Sequence, residues 1–356
     1  MELDSDKWIR SGWQRITTVD AHTAGEPLRV ITGGYPTLEG NTILEKCEFA
    51  RTHHDDIRRA LMLEPRGHAD MYGCIITSAT TPDGDFGVLF LHNEGYSTMC
   101  GHGIIAITKV AIECGLIEET GPKDGHRTVK IDTPSGRVEA TALMEDGEVK
   151  RVSYINLPSF VLKHDLNVHV PGLAALIPTG TQRIKCDMAY GGVFYAYVDA
   201  NSIGIEIVPR NFNRLVDTGM RIKHAVMDQF EIAHPDGDAA LNYLYGTIFS
   251  QMIPGPMHSR NIRIFADGEV DRSPTGTGVS GKCAILHGRD EIELGQTIAI
   301  ESLIGTKFEV TARSTTTVGE DMPAIIPEVS GRAFITGRNE FFINPDDPLR
   351  AGFLLR

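Results

Sequence analysis

The chain has 356 residues, of which 41% are hydrophobic and 23% charged, a composition typical of a globular protein long enough for two domains. Its formal net charge of −13 argues against nucleic acids and anionic membranes as partners, because both bind basic surfaces. No apolar run is long enough to span a bilayer, and the N-terminal segment Met1–Asp6 is acidic with no apolar core behind it. The sequence therefore predicts no membrane span, no signal peptide and a cytoplasmic location.

Cysteine and histidine usage indicates neither a disulfide framework nor a metal centre. The six cysteines are scattered with no C-x-x-C pair, and the thirteen histidines include no H-E-x-x-H pattern. Cys74, Cys114 and Cys283 fall in apolar patterns, so we expect them in the core. No metal is expected.

The first predicted elements are two short strands, Ile16–Asp20 and Leu28–Thr32. The polar loop that joins them contains His22 and Glu26. A polar loop between strands is suited to function, although both side chains can equally satisfy backbone groups of the turn.

A helix is predicted next, with Thr52 as its N-cap and Pro65 as its stop. His68, Asp70 and Tyr72 then crowd the junction before a predicted buried strand. His68 and Asp70 are candidates to contact a substrate hydroxyl, and the alternative is a capped, solvated junction.

A strand at 86–92 leads to the segment Ser97–Gly103, which opens an apolar helix expected to end near Gly115. The helix start offers free N–H groups and the positive end of its dipole to Cys100. These surroundings favour the thiolate, because thiols at helix N-termini titrate below the usual value of about 8.5. Cys100 is therefore expected to act as a base at neutral pH, although a lone cysteine can also be a small core residue.

After this helix the sequence predicts strands at 128–132, 137–142 and 149–155. Because the helix is apolar on nearly every face, it must be enclosed. We expect it to run through a curved sheet or half-barrel.

The second half repeats this plan. Strands are predicted at 186–190, 193–198 and 261–265, with a helix from about 212 to 230. The segment Asp271–Gly278 repeats the x-Gly-x-Gly turn before a second apolar helix that ends at Gly288. Further strand-like segments lie at 297–300, 307–311, 331–336 and 339–343.

Two helix N-termini that face a common cleft can hold one anion between two sets of backbone N–H groups. One half presents Cys100 at this place, and the other presents Thr275. Neither Gly-x-Gly turn has the G-x-G-x-x-G or P-loop form, so a nucleotide site is not expected.

Three segments resemble landmarks of the proline racemase family in order and spacing: Asp20–Pro27, Met99–Gly103 and Asp271–Gly278. The resemblance covers nearly the whole chain and implies an α/β (α+β) fold similar to diaminopimelate epimerase. In that fold two pseudo-symmetric domains, each a curved mixed sheet or half-barrel around a central buried helix, enclose an active site in their cleft. The implied domains are residues 1–155 with 340–356, and residues 156–339.

In the racemases and hydroxyproline epimerases of this family, two cysteines flank the α-carbon of the substrate. Here the second position is Thr275, which is the pattern of the trans-3-hydroxy-L-proline dehydratases. The resemblance therefore implies dehydration of trans-3-hydroxy-L-proline to Δ1-pyrroline-2-carboxylate, without a cofactor, with Cys100 as the single base.

The resemblance also implies how the substrate is held. The carboxylate would accept hydrogen bonds from backbone N–H groups, and two side chains would flank the ring nitrogen. The residues implied are Gly101, Gly276 and Thr277 for the carboxylate, and His102 and Asp271 for the nitrogen.

Two alternatives stay open. A proline racemase or hydroxyproline 2-epimerase would use a water held on Thr275, although a threonine hydroxyl is a poor acid and base at neutral pH. A non-catalytic ligand-binding relative would explain the missing second cysteine, although Cys100, His102 and Asp271 are retained. The expected partner is a small amino-acid substrate, and a homodimer is left open.

Overall fold

The computed structural model describes residues 7–117, 123–237, 241–255 and 258–355. Within these ranges the chain has a mixed α/β fold in which the strands form one hydrogen-bonded sheet. The first half contains strands β1 Gln14–Thr23, β2 Glu26–Gly33, β3 Tyr72–Thr77, β4 Phe86–His92, β5 Tyr96–Ser97, β6 Gly125–Thr133, β7 Gly136–Glu145 and β8 Glu148–Ile155, and helices α1 Ile43–His53, α2 Asp55–Met62 and α3 Gly101–Glu113.

The second half follows without a break in the sheet. It contains strands β9 Ser159–His169, β10 Arg183–Tyr190, β11 Phe194–Asp199, β12 Leu244–Gln251, β13 Ser259–Phe265, β14 Glu269–Asp271, β15 Thr297–Ser302, β16 Lys307–Val318, β17 Met322–Gly331 and β18 Ala333–Ile343, and helices α4 Ala200–Ile203, α5 Phe212–Gln229 and α6 Gly276–Gly288.

The two halves repeat one pattern of strand pairing. In the first half β1 and β2 are antiparallel, β2 and β3 parallel, β3 and β4 antiparallel, and β4 and β6 parallel. In the second half β10–β11, β11–β12, β12–β13 and β13–β15 have the same directions. The predicted fold of two pseudo-symmetric halves is confirmed.

The second half closes on itself, because β9 pairs with β10 on one side and with β17 on the other. Helix α6 packs against β9, β10, β11, β16 and β17, so it runs through this barrel. In the first half, β18 returns to pair with β1, while β8 pairs with β17 across the seam. This returning strand begins at Ala333, whereas the predicted domains divide at residue 340; the domain division remains a prediction.

The central helices form because their surroundings cover them. Residues Gly101–Thr108 and Val110–Ile112 of α3 are all buried, although the helix is rich in isoleucine, which forms helices only moderately well by itself. Its stability therefore comes from enclosure by the sheet, as the apolar pattern predicts. Within the described ranges, no helix is both long and apolar enough to cross a membrane.

The N-termini of α3 and α6 meet at two glycines. A Cβ atom on Gly101 would lie 3.0 Å from the Cα of Gly276, and a Cβ on Gly276 would lie 3.1 Å from the Cα of Gly101. Either added atom would also overlap the hydroxyl of buried Tyr154. Both positions therefore require glycine, because no side chain fits between the two helix ends.

Several local predictions were wrong. Thr52 lies inside α1 and does not cap a helix; α1 is capped by Thr42, which forms a capping box with Glu45. Cys114 is exposed because it follows the enclosed part of α3, whereas Cys74 and Cys283 are buried as expected. Strands β9, β12 and β17 were not predicted, and the segments 331–336 and 339–343 belong to the single strand β18.

We predict that Gly276→Ala lowers the free energy of unfolding by about 1–3 kcal/mol, the usual cost of overpacking a core. Tyr154→Phe removes the hydroxyl that the new methyl group would overlap, so it should recover part of this loss in the double variant. Urea denaturation of the two single variants and the double variant measures this coupling.

Gly288→Ala is the matched control, because the nearest atom to its added Cβ is 3.7 Å away, an ordinary contact. Its stability should change by less than about 0.5 kcal/mol. Equal effects at Gly276 and Gly288, or strictly additive effects at Gly276 and Tyr154, would contradict the close approach of the two helix ends.

Candidate functional site

A cavity of about 140 Å³ lies where the two helix N-termini meet. Its wall on the first half comes from β3, β4 and the segment before α3, and its wall on the second half comes from β11, β12, β13 and the segment before α6. The lining includes seven of the residues predicted as site residues: Cys100, Gly101, His102, Asp271, Thr275, Gly276 and Thr277. The prediction that the two motifs share one cleft agrees with this geometry.

Cys100 is the N-cap residue of α3, and its Sγ accepts a hydrogen bond from the N–H of Gly103 at 3.3 Å. Sγ also lies 3.3 Å from Nδ1 of His102. A Cβ on Gly103 would lie 3.0 Å from Sγ and 2.6 Å from the ring of Phe90. The second glycine of the motif therefore makes room for the sulfur as well as for the helix start.

The protonation of Cys100 differs from the sequence prediction. Burial raises the pKa of this thiol well above its ordinary value, and the carboxyl groups of Asp271 and Glu26 act in the same direction. The Gly103 N–H and the Arg263 guanidinium act in the opposite direction without reversing the shift. The prediction of a depressed pKa was wrong because it considered the helix end without the loss of water around it.

His102 is neutral at physiological pH, since burial lowers its pKa to about 4. The site therefore holds a thiol beside a neutral imidazole and not a thiolate–imidazolium pair. The positive charge of Arg263, which is paired with Asp271, does not offset the burial of the thiol.

Thr275 opens α6 in a different way from the cysteine that opens α3. Its φ angle is +71°, a region that β-branched residues rarely adopt. Its Oγ1 donates to Oδ2 of Asp271 at 2.9 Å instead of capping the helix. The hydroxyl proton is thereby committed to a carboxylate, while Gly276 and Thr277, the first residues of α6, line the cavity with N–H groups that have no acceptor within the helix.

Asp271 is the buried anion of the site. Burial by itself would raise its pKa, but Arg263, whose Nη2 lies 3.2 Å from Oδ2, and the hydrogen bonds of Ser273 hold that pKa below its usual value. Arg263 also donates to the hydroxyl of Tyr195 at 3.1 Å, which in turn bonds Oγ1 of Thr277 at 2.9 Å. One guanidinium thus links Asp271 and Thr277, two of the predicted substrate-binding residues of the second half.

The sequence analysis did not predict the cavity-lining residues that lie on strands. Arg263 was a detectable signal, since it is a charged residue in an apolar predicted strand, but nothing in the sequence showed where it points. The other lining residues not predicted as site residues are Tyr72, His92, Tyr96, Ser97, Thr98, Met99, Gly192, Val193, Tyr195, Tyr243 and Tyr245.

His68 and Asp70 do not line this cavity. His68 is exposed, and its Nδ1 lies 2.7 Å from the carbonyl of Ala69. Asp70 accepts a hydrogen bond from the N–H of Val270, next to Asp271. The structure therefore places Asp70 as a support of the second motif and does not place it at a substrate hydroxyl.

Glu26 supports the same motif. It is fully buried, and its Oε2 accepts the N–H of Arg272 at 2.7 Å. Burial, together with the charge of Asp271, raises its pKa well above the usual value, and the Arg272 guanidinium and backbone N–H act against that shift. It lies behind the cavity wall, where it fixes the backbone beside Asp271.

The arrangement suits a small zwitterion. Two helix N-termini offer backbone N–H groups to a carboxylate, Asp271 offers a negative charge to an ammonium group, and Cys100 offers one group able to exchange a proton with carbon. Among the described residues, no cluster of His, Cys, Asp or Glu is arranged to hold a metal ion.

The chain is similar to known proteins over nearly its whole length. The family described as proline racemase matches residues 18–354. A trans-3-hydroxy-L-proline dehydratase of Colwellia psychrerythraea is 49% identical over 96% of this chain and 93% of its own length, and a 3-hydroxyproline 2-epimerase of Burkholderia multivorans is 42% identical over 96% and 98%. A crystal structure of a hydroxyproline epimerase from Agrobacterium vitis with bound trans-4-hydroxy-L-proline is 32% identical, covers 98% of this chain and 97% of its own, and superposes with a TM-score of 0.84.

The raised pKa of Cys100 predicts how its alkylation depends on pH. In the ligand-free protein, the rate of iodoacetamide labelling at Cys100 should rise about tenfold per pH unit from pH 6 to pH 8, because the thiolate is the nucleophile and its fraction is small throughout this range. Mass spectrometry of the Cys100 peptide measures the rate separately from exposed Cys114, which serves as the internal reference. A rate at Cys100 that is already constant below pH 7 would show a thiolate in the resting site.

Proposed function

The chain belongs to the proline racemase family, and we propose that it dehydrates trans-3-hydroxy-L-proline to Δ1-pyrroline-2-carboxylate and water, with Cys100 as the only base. The observation that carries this proposal is the asymmetry of the site. A thiol opens α3, while the equivalent position of α6 holds Thr275, whose hydroxyl is bonded to Asp271. The Colwellia relative, 49% identical, has the same activity in its name.

The substrate carboxylate is held by the helix ends. Backbone N–H groups of Gly101, Gly276 and Thr277 lie at the two N-termini, where they bind an anion and need no rearrangement when charge grows on it. The ring nitrogen lies between His102 and Asp271, and the negative charge of Asp271 pairs with its ammonium group. This arrangement leaves the α-hydrogen facing Cys100.

Substrate binding adds a positive charge beside the sulfur to that of Arg263. An ammonium group beside Sγ favours the thiolate of Cys100, so the zwitterion binds best to the form of the protein that has lost the thiol proton to solvent. The base is thereby generated as the substrate arrives. His102, which is neutral, contributes no positive charge to this step.

The stereochemistry of the substrate accounts for a single base. In the trans isomer the 3-hydroxyl lies on the ring face opposite the carboxylate, which is the face that carries the α-hydrogen. The α-proton moves to Sγ, its electron pair forms the C2–C3 double bond, and the C3–O bond breaks with its pair on oxygen. That oxygen takes the proton from Sγ and leaves as water, and the enamine tautomerises to the cyclic imine. Cys100 ends the cycle as the thiolate.

One alternative is favoured by a specific observation. The Burkholderia multivorans relative, 42% identical, is named a 3-hydroxyproline 2-epimerase, and epimerisation would require an acid on the Thr275 side, such as a bound water.

We place the protein in the cytoplasm, acting on free amino acid, and a homodimer remains a prediction.

Incubation of the protein with trans-3-hydroxy-L-proline in deuterium oxide, followed by NMR, tests the proposed function. The dehydratase gives the cyclic imine with no D-configured amino acid, since one base cannot deliver a proton to the opposite face. Formation of the 2-epimer without imine would establish the alternative, and binding without conversion would establish a non-catalytic relative.

Cys100→Ser should lower kcat by at least about 1000-fold while the protein stays folded, because an alcohol in that position does not ionise at neutral pH. Steady-state imine formation gives kcat, and thermal unfolding together with binding of pyrrole-2-carboxylate, a planar mimic of the deprotonated ring, gives the folding control. A variant that keeps a tenth of the wild-type kcat would rule out Cys100 as the base.

Thr275→Cys should add a weak epimerase activity toward L-proline or trans-4-hydroxy-L-proline. The thiol would enter the field at the start of α6 on the second face of the ring, but Asp271 beside it would raise its pKa, and a misplacement of about 1 Å can cost on the order of 100-fold. Chiral chromatography after overnight incubation detects the product. Thr275→Ser is the control and should give none; absence of D-configured product from a folded Thr275→Cys variant would show that position 275 does not face the α-carbon.

A further inference from the structure

His92 is a cavity-lining group with no role in the mechanism above. It is the last residue of β4, where it pairs with Tyr72 of β3, and it is 8% exposed. It lines both the cavity and a larger outer groove that shares Tyr96 and Thr98 with it. It therefore lies on the wall that carries Cys100, between the cavity and the outer groove.

The hydrogen bonds of the ring fix its tautomer. The N–H of Glu94 donates to Nδ1 of His92 at 3.2 Å, and Oε2 of Glu269 lies 3.9 Å from the same atom, beyond hydrogen-bonding distance. Burial, with the charges of Arg58 and Arg263, lowers the pKa of His92 to about 4. Because Nδ1 accepts, the single proton of the neutral ring is on Nε2, which is a donor.

The position of the ring is held by its neighbours. The carbonyl of His92 accepts a hydrogen bond from Nη1 of buried Arg58 at 2.8 Å. Asn93, the next residue, accepts the N–H of Met71 and donates to the carbonyl of Met62 at 2.7 Å. The ring itself stacks on Tyr72, with 5.5 Å between the ring centres. A donor held this firmly is preorganised for a ligand.

Most other polar side chains on this wall have partners, and among the described residues the buried hydroxyl of Tyr96 is an exception that carries no N–H. The hydroxyls of Tyr72 and Ser97 bond each other at 2.6 Å, and both ring nitrogens of His102 lie within 3.5 Å of Cys100 Sγ. Within the described part of the chain, Nε2 of His92 has no hydrogen-bond partner, and it is not among the side-chain atoms sealed from solvent. His92 therefore offers the uncommitted N–H donor on the Cys100 side of the cavity.

We infer that Nε2–H of His92 binds the 3-hydroxyl of the substrate and stabilises the negative charge that develops on this oxygen as the C3–O bond breaks. The inference rests on the proposed function, because only syn loss of the hydroxyl brings the leaving oxygen to the Cys100 wall. No proton leaves His92: the proton that completes the water comes from Sγ, and the imidazole contributes a hydrogen bond that strengthens with the charge. The same contact selects 3-hydroxylated substrates over proline.

The test is the fate of the intermediate after the α-proton has been removed. In deuterium oxide, wild-type protein acting on trans-3-hydroxy-L-proline either loses the hydroxyl, giving imine, or returns a proton to carbon, giving recovered substrate that carries deuterium. His92→Phe keeps an aromatic ring on Tyr72 but has no donor. We expect its kcat for imine to fall about 10- to 100-fold, the range for loss of one hydrogen bond to a charged group, and the ratio of deuterated substrate to imine to rise.

His92→Gln places an amide N–H near the position of Nε2. It should restore most of the kcat and bring the ratio of deuterated substrate to imine back toward that of the wild type. His126→Phe, at an exposed histidine of β6, controls for a histidine-to-phenylalanine change elsewhere and should match the wild type. A folded His92→Phe variant should still bind pyrrole-2-carboxylate, which has no 3-hydroxyl. If His92→Phe does not fold, the ratio of deuterated substrate to imine is measured for His92→Leu and His92→Gln instead.

The outcomes separate the two proposals. If the wild type forms imine and all His92 variants, including the one without a donor, give the wild-type ratio of deuterated substrate to imine, the role of His92 is overturned and the proposed function stands. If kcat falls without a change in partition, His92 acts on proton removal, and the role assigned to it here is wrong. If the wild type forms no imine, both the proposed function and this inference fail.

Discussion

The structure depends on the close approach of two helix N-termini. Gly101 and Gly276 lie so near each other that neither can carry a Cβ atom, and the hydroxyl of Tyr154 fills the space behind them. Each half of the sheet wraps its own central helix, and β17 pairs with β8 across the seam. Because these helix starts are fixed against each other, their N–H groups form one anion-binding place that neither half could form alone.

Around that place the titratable side chains are buried. Arg263 and Asp271 form a buried ion pair, burial keeps His92 and His102 uncharged, and burial keeps Cys100 as a thiol. An ion pair enclosed in this way costs desolvation energy, and it is retained where its geometry serves a site. In the proposed reaction a zwitterionic ligand brings two charges that the site can bind. Its carboxylate binds the helix ends, and its ammonium group lies beside Asp271 and the sulfur.

The same scaffold is used differently in its two halves. In α3 the side chain of Cys100 caps its own helix through Gly103 and faces the cavity. In α6 the strained backbone of Thr275 turns its hydroxyl to Asp271, which Arg263, Ser273 and the backbone support of Glu26 hold in place. The repeat therefore supplies a symmetric carboxylate site and an asymmetric pair of side chains, which is the arrangement that a one-base reaction on one ring face requires.

Local patterns were enough to predict the apolar helices α3 and α6, the glycine turns that open them and their repetition half a chain apart. These patterns predicted that the segments with Cys100 and Thr275 share one cleft, and the family resemblance implied that His102 and Asp271 face it. The protonation of Cys100 could be read only from the folded protein, since burial depends on the whole enclosure. The folded structure also brings Arg263 and His92 to the cavity and leaves His68 and Asp70 outside it, because strands bring together residues distant in sequence and one turn can direct a polar side chain either way.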